Sequence, residues 1–263
     1  MLAKLGGFMA VVLWTEEQTK KALFLYFQLP FGQLDQRNHE IIALASQLGH
    51  TPSAVAMKLA NFASLDPKIV ESGRKGLTGA SALDRKIWNL FNDDWTKLIV
   101  ENGGDVPLDD TEDNVVQGME PNFEYSVVDG VTTRRVQAEQ RLGQSFFRRA
   151  VLANFNNSCC ITGIFEPKLL VASHISPWNA DIPNRHNPRN GLCLSATFDR
   201  AFDAHLMTVT PELKVRISPK LLNSKSHETC TYFSPYEGKS IRRPTHIAPD
   251  LELLEIHNSK IAF

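Results

Sequence analysis

The stretch KLLVASHISPW, residues 168–178, decides how this sequence folds. Its apolar run KLLVAS predicts a strand, and His174 stands at the end of that run, shortly before a proline. Further along, GLCLS, residues 191–195, predicts a second short strand, and TFDRAFDAHL, residues 197–206, predicts a helix. The predicted order is therefore strand, long loop, strand, helix.

Three polar residues follow this order of elements. His174 ends the first strand, Asn190 immediately precedes the second, and Asp199 lies on the helix. Each has a structural explanation when taken alone: a single histidine is more often a satisfied structural residue than a base, Asn190 could cap a turn, and Asp199 could pair with Arg149 or Arg200. Taken together and in this order, they favour a catalytic site.

The segments ASHISPW, NPRNGLCLS and FDRAFD resemble the HNH endonuclease family and its ββα-metal fold. The segments RLGQSFFRRAVL and CCITG upstream, GKSIRRP and LLEIH in the tail, and TPSAVAMKLANFASLDP near the N-terminus are also similar to bacterial HNH proteins. The resemblance covers most of the chain and is most specific over residues 141–205. It implies an α+β protein with an N-terminal, mostly helical domain and a C-terminal nuclease domain.

The chemistry of phosphodiester hydrolysis explains the residue types. The reaction needs an activated water and a group that stabilises charge on the phosphate and the leaving oxygen. The resemblance implies that His174 is the general base, that Asn190 orients it by bonding across the loop, and that Asp199 binds one divalent ion. A carboxylate ligand favours Mg²⁺ or Mn²⁺.

Two departures from the family pattern concern metals. Many HNH sites hold Asp or His just before the base as a second metal ligand, and Ser173 stands there in this chain. Water, His186 or Asp203 would then complete the coordination.

The second departure concerns structural zinc, which many HNH proteins bind with two CxxC pairs. The matching positions here are Cys159, Thr162, Ser195 and Phe198. Because one ligand of four remains, we expect no structural zinc. Packing by Phe198, Phe202 and Trp178 would replace it.

The N-terminal region contains a predicted helix-turn-helix pair. Thr15 begins a capping box ahead of a helix over residues 15–28, and Gly49 separates two further helical patterns. The second of these would be a recognition helix that offers DNA three side chains: Ser53, Lys58 and Asn61. A plain helical hairpin in a bundle is the equally weighted alternative.

Several arginines are candidate phosphate contacts, with a solvated face as the alternative. They are Arg141, Arg148, Arg149, Arg185 and Arg189. Arg185 and Arg189 lie in the loop between His174 and Asn190, which favours a substrate role for these two.

The charge distribution is consistent with a polyanionic partner although the net charge is −1. Residues 93–130 carry one lysine against 11 acids, and the segments on either side are both net basic. We therefore predict a helical DNA-binding domain over 1–100, an acidic linker over 101–130 and a nuclease domain over 131–263. A DNA mimic that rests on a basic site is a weaker alternative to a plain linker.

The composition narrows the class of protein. No apolar run approaches the roughly 20 residues of a membrane helix. The four scattered cysteines form no disulfide framework and favour a cytoplasmic location.

The sequence thus predicts a metal-dependent DNA endonuclease, and the resemblance implies a restriction-type enzyme, a group in which some members read modified bases. The alternative is a DNA-binding protein with a weak or inactive nuclease domain. Double-strand cutting from one site would imply a homodimer or two successive events.

Overall fold

The computed structural model describes residues 13–71, 73, 76–77, 79–91, 94–102 and 132–261, with side chains from residue 140 onward in the last range. It has an α+β fold, as predicted. The helices are α1 (Glu16–Tyr26), α2 (His39–Leu48), α3 (Pro52–Leu65), α4 (Pro67–Glu71), α5 (Ala82–Phe91), α6 (Trp95–Asn102), α7 (Thr132–Asn154), α8 (Ala196–Asp203), α9 (Pro219–Leu222), α10 (His227–Phe233) and α11 (Leu251–Ser259). The strands are β1 (Leu170–His174), β2 (Gly191–Ser195), β3 (Met207–Val209) and β4 (Val215–Ile217). None of these helices is both long and apolar enough to cross a bilayer.

The predicted pair of helices near the N-terminus is confirmed as α2 and α3. Gly49 adopts φ +70°, which ends α2 in a left-handed turn that glycine tolerates best. The Thr51 hydroxyl then accepts the backbone N–H of Ala54 and caps α3, with Pro52 at its first position. The Thr15 capping box also forms, and α1 ends at Tyr26, two residues before its predicted end.

Helix α3 is an element of the core more than an exposed reading surface. Val55, Leu59 and Phe62 are fully buried, and α3 contacts α1, α2 and α5. Lys58, the only basic residue of this helix, is also buried: its Nζ lies 2.5 Å from an Asp84 carboxylate oxygen and 4.6 Å from the centre of the Trp14 ring. The expectation that Lys58 is exposed to DNA is therefore wrong.

The other two residues of α3 that were predicted to contact DNA, Ser53 and Asn61, are poorly positioned for this role. Ser53 is exposed, but its hydroxyl lies 3.1 Å from that of Thr51 in the capping turn, and Asn61 is half-buried. A recognition helix without an exposed cation lacks the usual phosphate contact. The helical hairpin is the better description of this pair.

The predicted strand–loop–strand–helix unit is confirmed in the C-terminal region. Strands β1 and β2 pair antiparallel, with Leu170 opposite Ser195 and His174 opposite Gly191. Helix α8 begins directly after β2, so that the three elements form a ββα unit. Every residue of β2 is buried, and β3 and β4 form a second antiparallel pair beside α8.

Helix α7 belongs to two hydrophobic cores. Phe146 and Ala150 pack into the core of the N-terminal helices, whereas Phe147 and Val151 pack into the core around β2 and α8. The same helix therefore joins the predicted DNA-binding and nuclease regions. Most of the predicted linker, including Asp109, Asp110, Glu112 and Asp113, lies outside the described residues, and the domain boundaries stay predictions.

A buried polar cluster fastens the C-terminal segment to the helical core. The Asn154 side-chain oxygen accepts the backbone N–H groups of His246 and Ile247, each at 2.9 Å. The Tyr26 hydroxyl donates to Asp66 at 2.9 Å, and His246 Nδ1 lies 3.3 Å from the same carboxylate oxygen. Burial is the main cause that raises the pKa of Tyr26 well above its ordinary value. These contacts join residues 246–247 to the end of α7 and to the N-terminal helices.

Candidate active site

His174 ends β1 and lies half-buried between two aromatic rings. Its imidazole stacks on Phe147 of α7, with ring centres 3.9 Å apart and an interplanar angle of 7°. The Trp178 ring approaches at 5.5 Å and 80°, with an edge-to-face geometry. The imidazole plane is therefore fixed by the core below it and by the loop beside it.

One hydrogen bond identifies the nitrogen of His174 that can act as a base. His174 Nε2 lies 3.0 Å from the backbone carbonyl oxygen of Arg185. Because a carbonyl oxygen only accepts, Nε2 carries the proton, and in the neutral ring Nδ1 carries the lone pair. Burial lowers the pKa of His174, and the bond to Arg185 only partly offsets this, so the ring is neutral near pH 7.

Asn190 ties together the two ends of the loop that carries Arg185. Its side-chain N–H groups donate to the carbonyl oxygens of Ser176 at 3.1 Å and Asn184 at 3.2 Å. Its side-chain oxygen accepts the Ser176 N–H at 2.7 Å, and its own carbonyl accepts the Ile175 N–H at 2.9 Å. Asn190 is fully buried, and it fixes the residue next to Arg185, whose carbonyl in turn holds His174.

Asp199 is a half-buried carboxylate on the first turn of α8. Burial, more than any other cause, raises its pKa to about 6; the Asp203 carboxylate adds to this rise, whereas the Ser173 hydroxyl and Arg200 oppose it. The surrounding protein groups therefore do not fully stabilise the negative charge of ionised Asp199. A cation bound at this carboxylate would restore its usual acidity.

The donors around Asp199 fit a single hard divalent ion completed by water. The Ser173 Oγ is buried and lies close enough to lower the Asp199 pKa, yet it forms no hydrogen bond of normal geometry within the described part of the chain. Hydroxyl and carboxylate oxygens suit Mg²⁺ or Mn²⁺. Asp203 lies one turn further along α8 and is exposed. Across residues 13–261, where described, no three His, Cys, Asp or Glu residues converge as metal ligands.

Three of the four positions that correspond to zinc ligands, Cys159, Ser195 and Phe198, are buried, and Thr162 is half-buried. Phe198 is fully buried, with the rings of Phe233 and Tyr236 at 5.2 and 5.1 Å. The Cys159 sulfur accepts the backbone N–H of Thr162 at 3.4 Å. The absence of structural zinc stays a prediction, and Phe198 supplies the packing that was expected of it.

The sequence analysis predicted that Trp178 would share this packing, but Trp178 lies elsewhere. It lies in the loop after β1, half-buried against His174 and His186, with the Arg185 guanidinium carbon 5.0 Å from its ring centre. The prediction for Trp178 was wrong: its ring contacts are with His174 and His186 and not with Phe198 or Phe202.

The five candidate arginines have two different structural roles. The Arg148 guanidinium donates to the carbonyl oxygens of Leu170 at 3.0 Å and Pro167 at 3.2 Å, and Arg149 forms an ion pair with Glu40 of α2. These two side chains are engaged within the protein, so their predicted DNA contacts lose support. Arg141 and Arg189 are exposed and Arg185 is half-buried beside the site.

The structure adds Phe147 to the site and places His186, which the sequence offered as a further metal ligand, against helix α7. Phe147 lies under the His174 ring. The available sequence signal was the FF pair in RLGQSFFRRAVL, because adjacent apolar residues of a helix face different sides. His186 packs on α7, where a Cβ at Gly143 would lie 2.3 Å from the His186 Nε2. Burial, and then Arg185 and His174, lower the pKa of His186 to about 4. His186 therefore shapes the loop as a neutral ring.

The comparisons with known proteins agree with this geometry. Residues 159–210 match the family model described as HNH endonuclease. The matched range contains β1, β2, α8 and β3, and with them His174, Asn190 and Asp199. No curated protein matches the chain.

Proposed function

Because residues 159–210 belong to the HNH endonuclease family, we propose that this protein is a metal-dependent endonuclease that hydrolyses phosphodiester bonds of DNA. The observation that carries the proposal is the state of His174. Its Nε2–H is committed to the Arg185 carbonyl, so Nδ1 is the nitrogen that can take a proton. This nitrogen belongs to the same ββα unit as Asp199, a half-buried carboxylate whose negative charge the surrounding protein groups do not fully stabilise.

The proposed reaction follows from these groups. His174 Nδ1 removes a proton from a water as its oxygen attacks phosphorus, and the Arg185 carbonyl stabilises the imidazolium through Nε2–H. Asp199 and Ser173 would hold the divalent ion, with Asp203 at the edge of the site. When bound, this ion supplies charge stabilisation at the phosphate and at the departing 3′ oxygen. Asn190 keeps the loop and the base in place.

The substrate side of the proposal rests on charge near the site. Arg185 and Arg189 lie in the loop beside His174, and Arg141 is exposed on α7. These residues are proposed to contact phosphates. We further propose a restriction-type role in the cytoplasm, with modified DNA among the candidate substrates and a homodimer as the form that cuts both strands. The buried free cysteines suit a reducing compartment.

A second candidate function is a DNA-binding protein with a weak or inactive nuclease domain. Its support is the thin ligand set, in which a serine stands where many HNH sites hold a second strong ligand. The intact arrangement of His174, Asn190 and Asp199 favours the active enzyme.

The test is a nicking assay on supercoiled plasmid with Mg²⁺, Mn²⁺ or EDTA, run on unmodified DNA and on DNA that carries modified cytosines. We expect metal-dependent conversion to open circles and linear products, and end mapping should show 5′-phosphate and 3′-hydroxyl termini. Binding without cleavage of any of these DNAs would favour the second candidate. Sizing of the protein with and without DNA tests the homodimer.

A further inference from the structure

We propose that Phe147 of helix α7 is a positioning residue for the general base, His174. We further propose that the missing side chain of Gly191 leaves the space in which Phe147 can reach the His174 ring. The proposal rests on the proposed function of His174 as base. Phe147 does not touch the substrate; it acts through the orientation of the imidazole.

The geometry shows what the stack adds to the hydrogen bond. The Arg185 carbonyl holds one atom of the imidazole, Nε2, at 3.0 Å, and a single point leaves the ring free to tilt around it. The Phe147 ring lies parallel to the imidazole at 3.9 Å and 7°, and it is itself only 2% exposed. A plane and a point together fix the direction in which Nδ1 faces. Base catalysis depends on this direction, because a misplacement of about 1 Å can cost ~10²-fold in rate.

Gly191 makes the close approach of α7 feasible. It is the partner of His174 in the antiparallel pair, so its Cα lies directly across the hairpin from the base. A Cβ at this position would lie 2.4 Å from Val151 Cγ2 and 2.9 Å from Phe147 Cζ. Both distances are well below van der Waals contact. Any larger residue would therefore push α7, and Phe147 with it, away from His174.

The neighbouring Phe146 provides a matched control on the same helix. Phe146 is 1% exposed and belongs to the other core, where its ring centre lies 5.0 Å from that of Phe24 and 6.1 Å from that of Trp95. Both phenylalanines are buried and share one helix, so the same substitution at either position removes the same atoms. Of these two phenylalanines, only Phe147 stacks on the His174 ring.

The experiment compares Phe147→Leu with Phe146→Leu, using plasmid nicking for kcat and KM, thermal melting for stability, and NMR of the histidine ring protons. For Phe147→Leu we expect kcat to fall roughly ten- to a hundredfold with KM nearly unchanged. The His174 ring protons, assigned by their absence in His174→Ala, should move downfield because they lose the shielding of the aromatic ring. Phe146→Leu should lower the melting temperature and leave kcat and these shifts unchanged.

Two results would overturn the inference: cleavage by Phe147→Leu at the parental rate, or equal losses of kcat in the two leucine variants at equal loss of stability. If Phe147→Leu melts below the assay temperature, Phe147→Met, whose flexible side chain fills a similar volume, takes its place with the same expected results. The failure of the proposed function has a different signature. In that case His174→Ala itself would cut at the parental rate, whatever the phenylalanine variants do.

Discussion

Two histidines of this protein, His174 and His257, make the same two contacts but differ in how far they are exposed. His174 stacks on Phe147 and donates Nε2–H to the Arg185 carbonyl; His257 stacks on Phe202, with ring centres 3.7 Å apart, and donates Nε2–H to the Phe202 carbonyl at 3.2 Å. In both, the lone pair therefore resides on Nδ1. A ring stack and a hydrogen bond to a backbone carbonyl are therefore not enough to make a histidine a catalytic base.

The difference lies at Nδ1 and in exposure. His257 is 3% exposed, and its Nδ1 accepts the Thr208 hydroxyl at 2.9 Å, so its hydrogen-bonding capacity is satisfied inside the core. His174 is half-buried at the end of a strand, next in sequence to Ser173 and in the same ββα unit as Asp199. A stacked histidine is a structural residue when its second nitrogen is satisfied inside the core, as in His257, and a candidate base when the residue is partly exposed and no hydrogen bond from the described residues engages that nitrogen, as in His174.

The largest effect that sharpens this comparison is expected from Asp199→Asn, which removes the carboxylate proposed to bind the metal ion in the ββα unit of His174. Cleavage should fall roughly 10²-fold or more, because a bound metal contributes several kcal/mol to transition-state stabilisation. Nicking rates over a Mn²⁺ titration measure this, with the exposed Asp203→Asn as a milder control.

The same variant has an opposite effect on stability. The folded pKa of Asp199 is raised to about 6, so this group favours the folded state at acid pH and loses that contribution as pH rises through 6. At pH 7.5 without metal, Asp199→Asn should therefore melt at a higher temperature than the parent. Added Mn²⁺ should raise the melting temperature of the parent only. A metal-induced rise of equal size in the variant would place the ion elsewhere.

A smaller effect is expected from His257→Leu, which should affect stability without affecting chemistry. It leaves the Thr208 hydroxyl and the Phe202 carbonyl without the ring, and unsatisfied buried groups of this kind cost about 1–3 kcal/mol in the free energy of unfolding. Urea denaturation measures this loss, and kcat should stay at the parental value at a temperature where the variant is folded. A loss of kcat in the fully folded variant would contradict the structural role of His257.

The smallest effect concerns the pH dependence of stability. Burial, followed by His205, lowers the pKa of His257 to about 4, so its neutral form stabilises the fold above pH 6.5 and this contribution is lost as pH falls from 6.5 towards 4. His186 contributes over the same range. The free energy of unfolding should therefore decline over this window, and less steeply in His257→Leu. Equal slopes in the two proteins would show that His257 is not the titrating group.

The ββα unit was predictable from sequence because its signals are local. The apolar runs over 168–173 and 191–195 and the helical pattern after them coincide with β1, β2 and α8 within two residues at most ends. The order of His174, Asn190 and Asp199 on these elements follows from that agreement. The Gly49 turn and the Thr51 cap were predictable for the same reason.

The contacts that assign roles to the other polar residues are not local, and the sequence alone does not contain them. Lys58 meets Asp84 across 26 positions, and Arg149 meets Glu40 across 109. A basic residue on a predicted recognition helix or beside a site has the same local signature whether it faces DNA or a buried partner. The stack of Phe147 under His174 likewise depends on how closely α7 approaches the hairpin, which Gly191 decides.

The central claim is that His174, and not merely its place in the core, is required for cleavage. The direct measurement is the nicking rate of His174→Ala beside that of His227→Ala, which removes an exposed histidine of α10, with melting temperature and DNA affinity measured for both. We predict a loss of ~10²–10⁴-fold for His174→Ala, with DNA binding retained and no rescue by added metal, and a parental rate for His227→Ala. A folded His174→Ala protein that binds DNA and cuts near the parental rate would contradict the assignment of His174 as the general base.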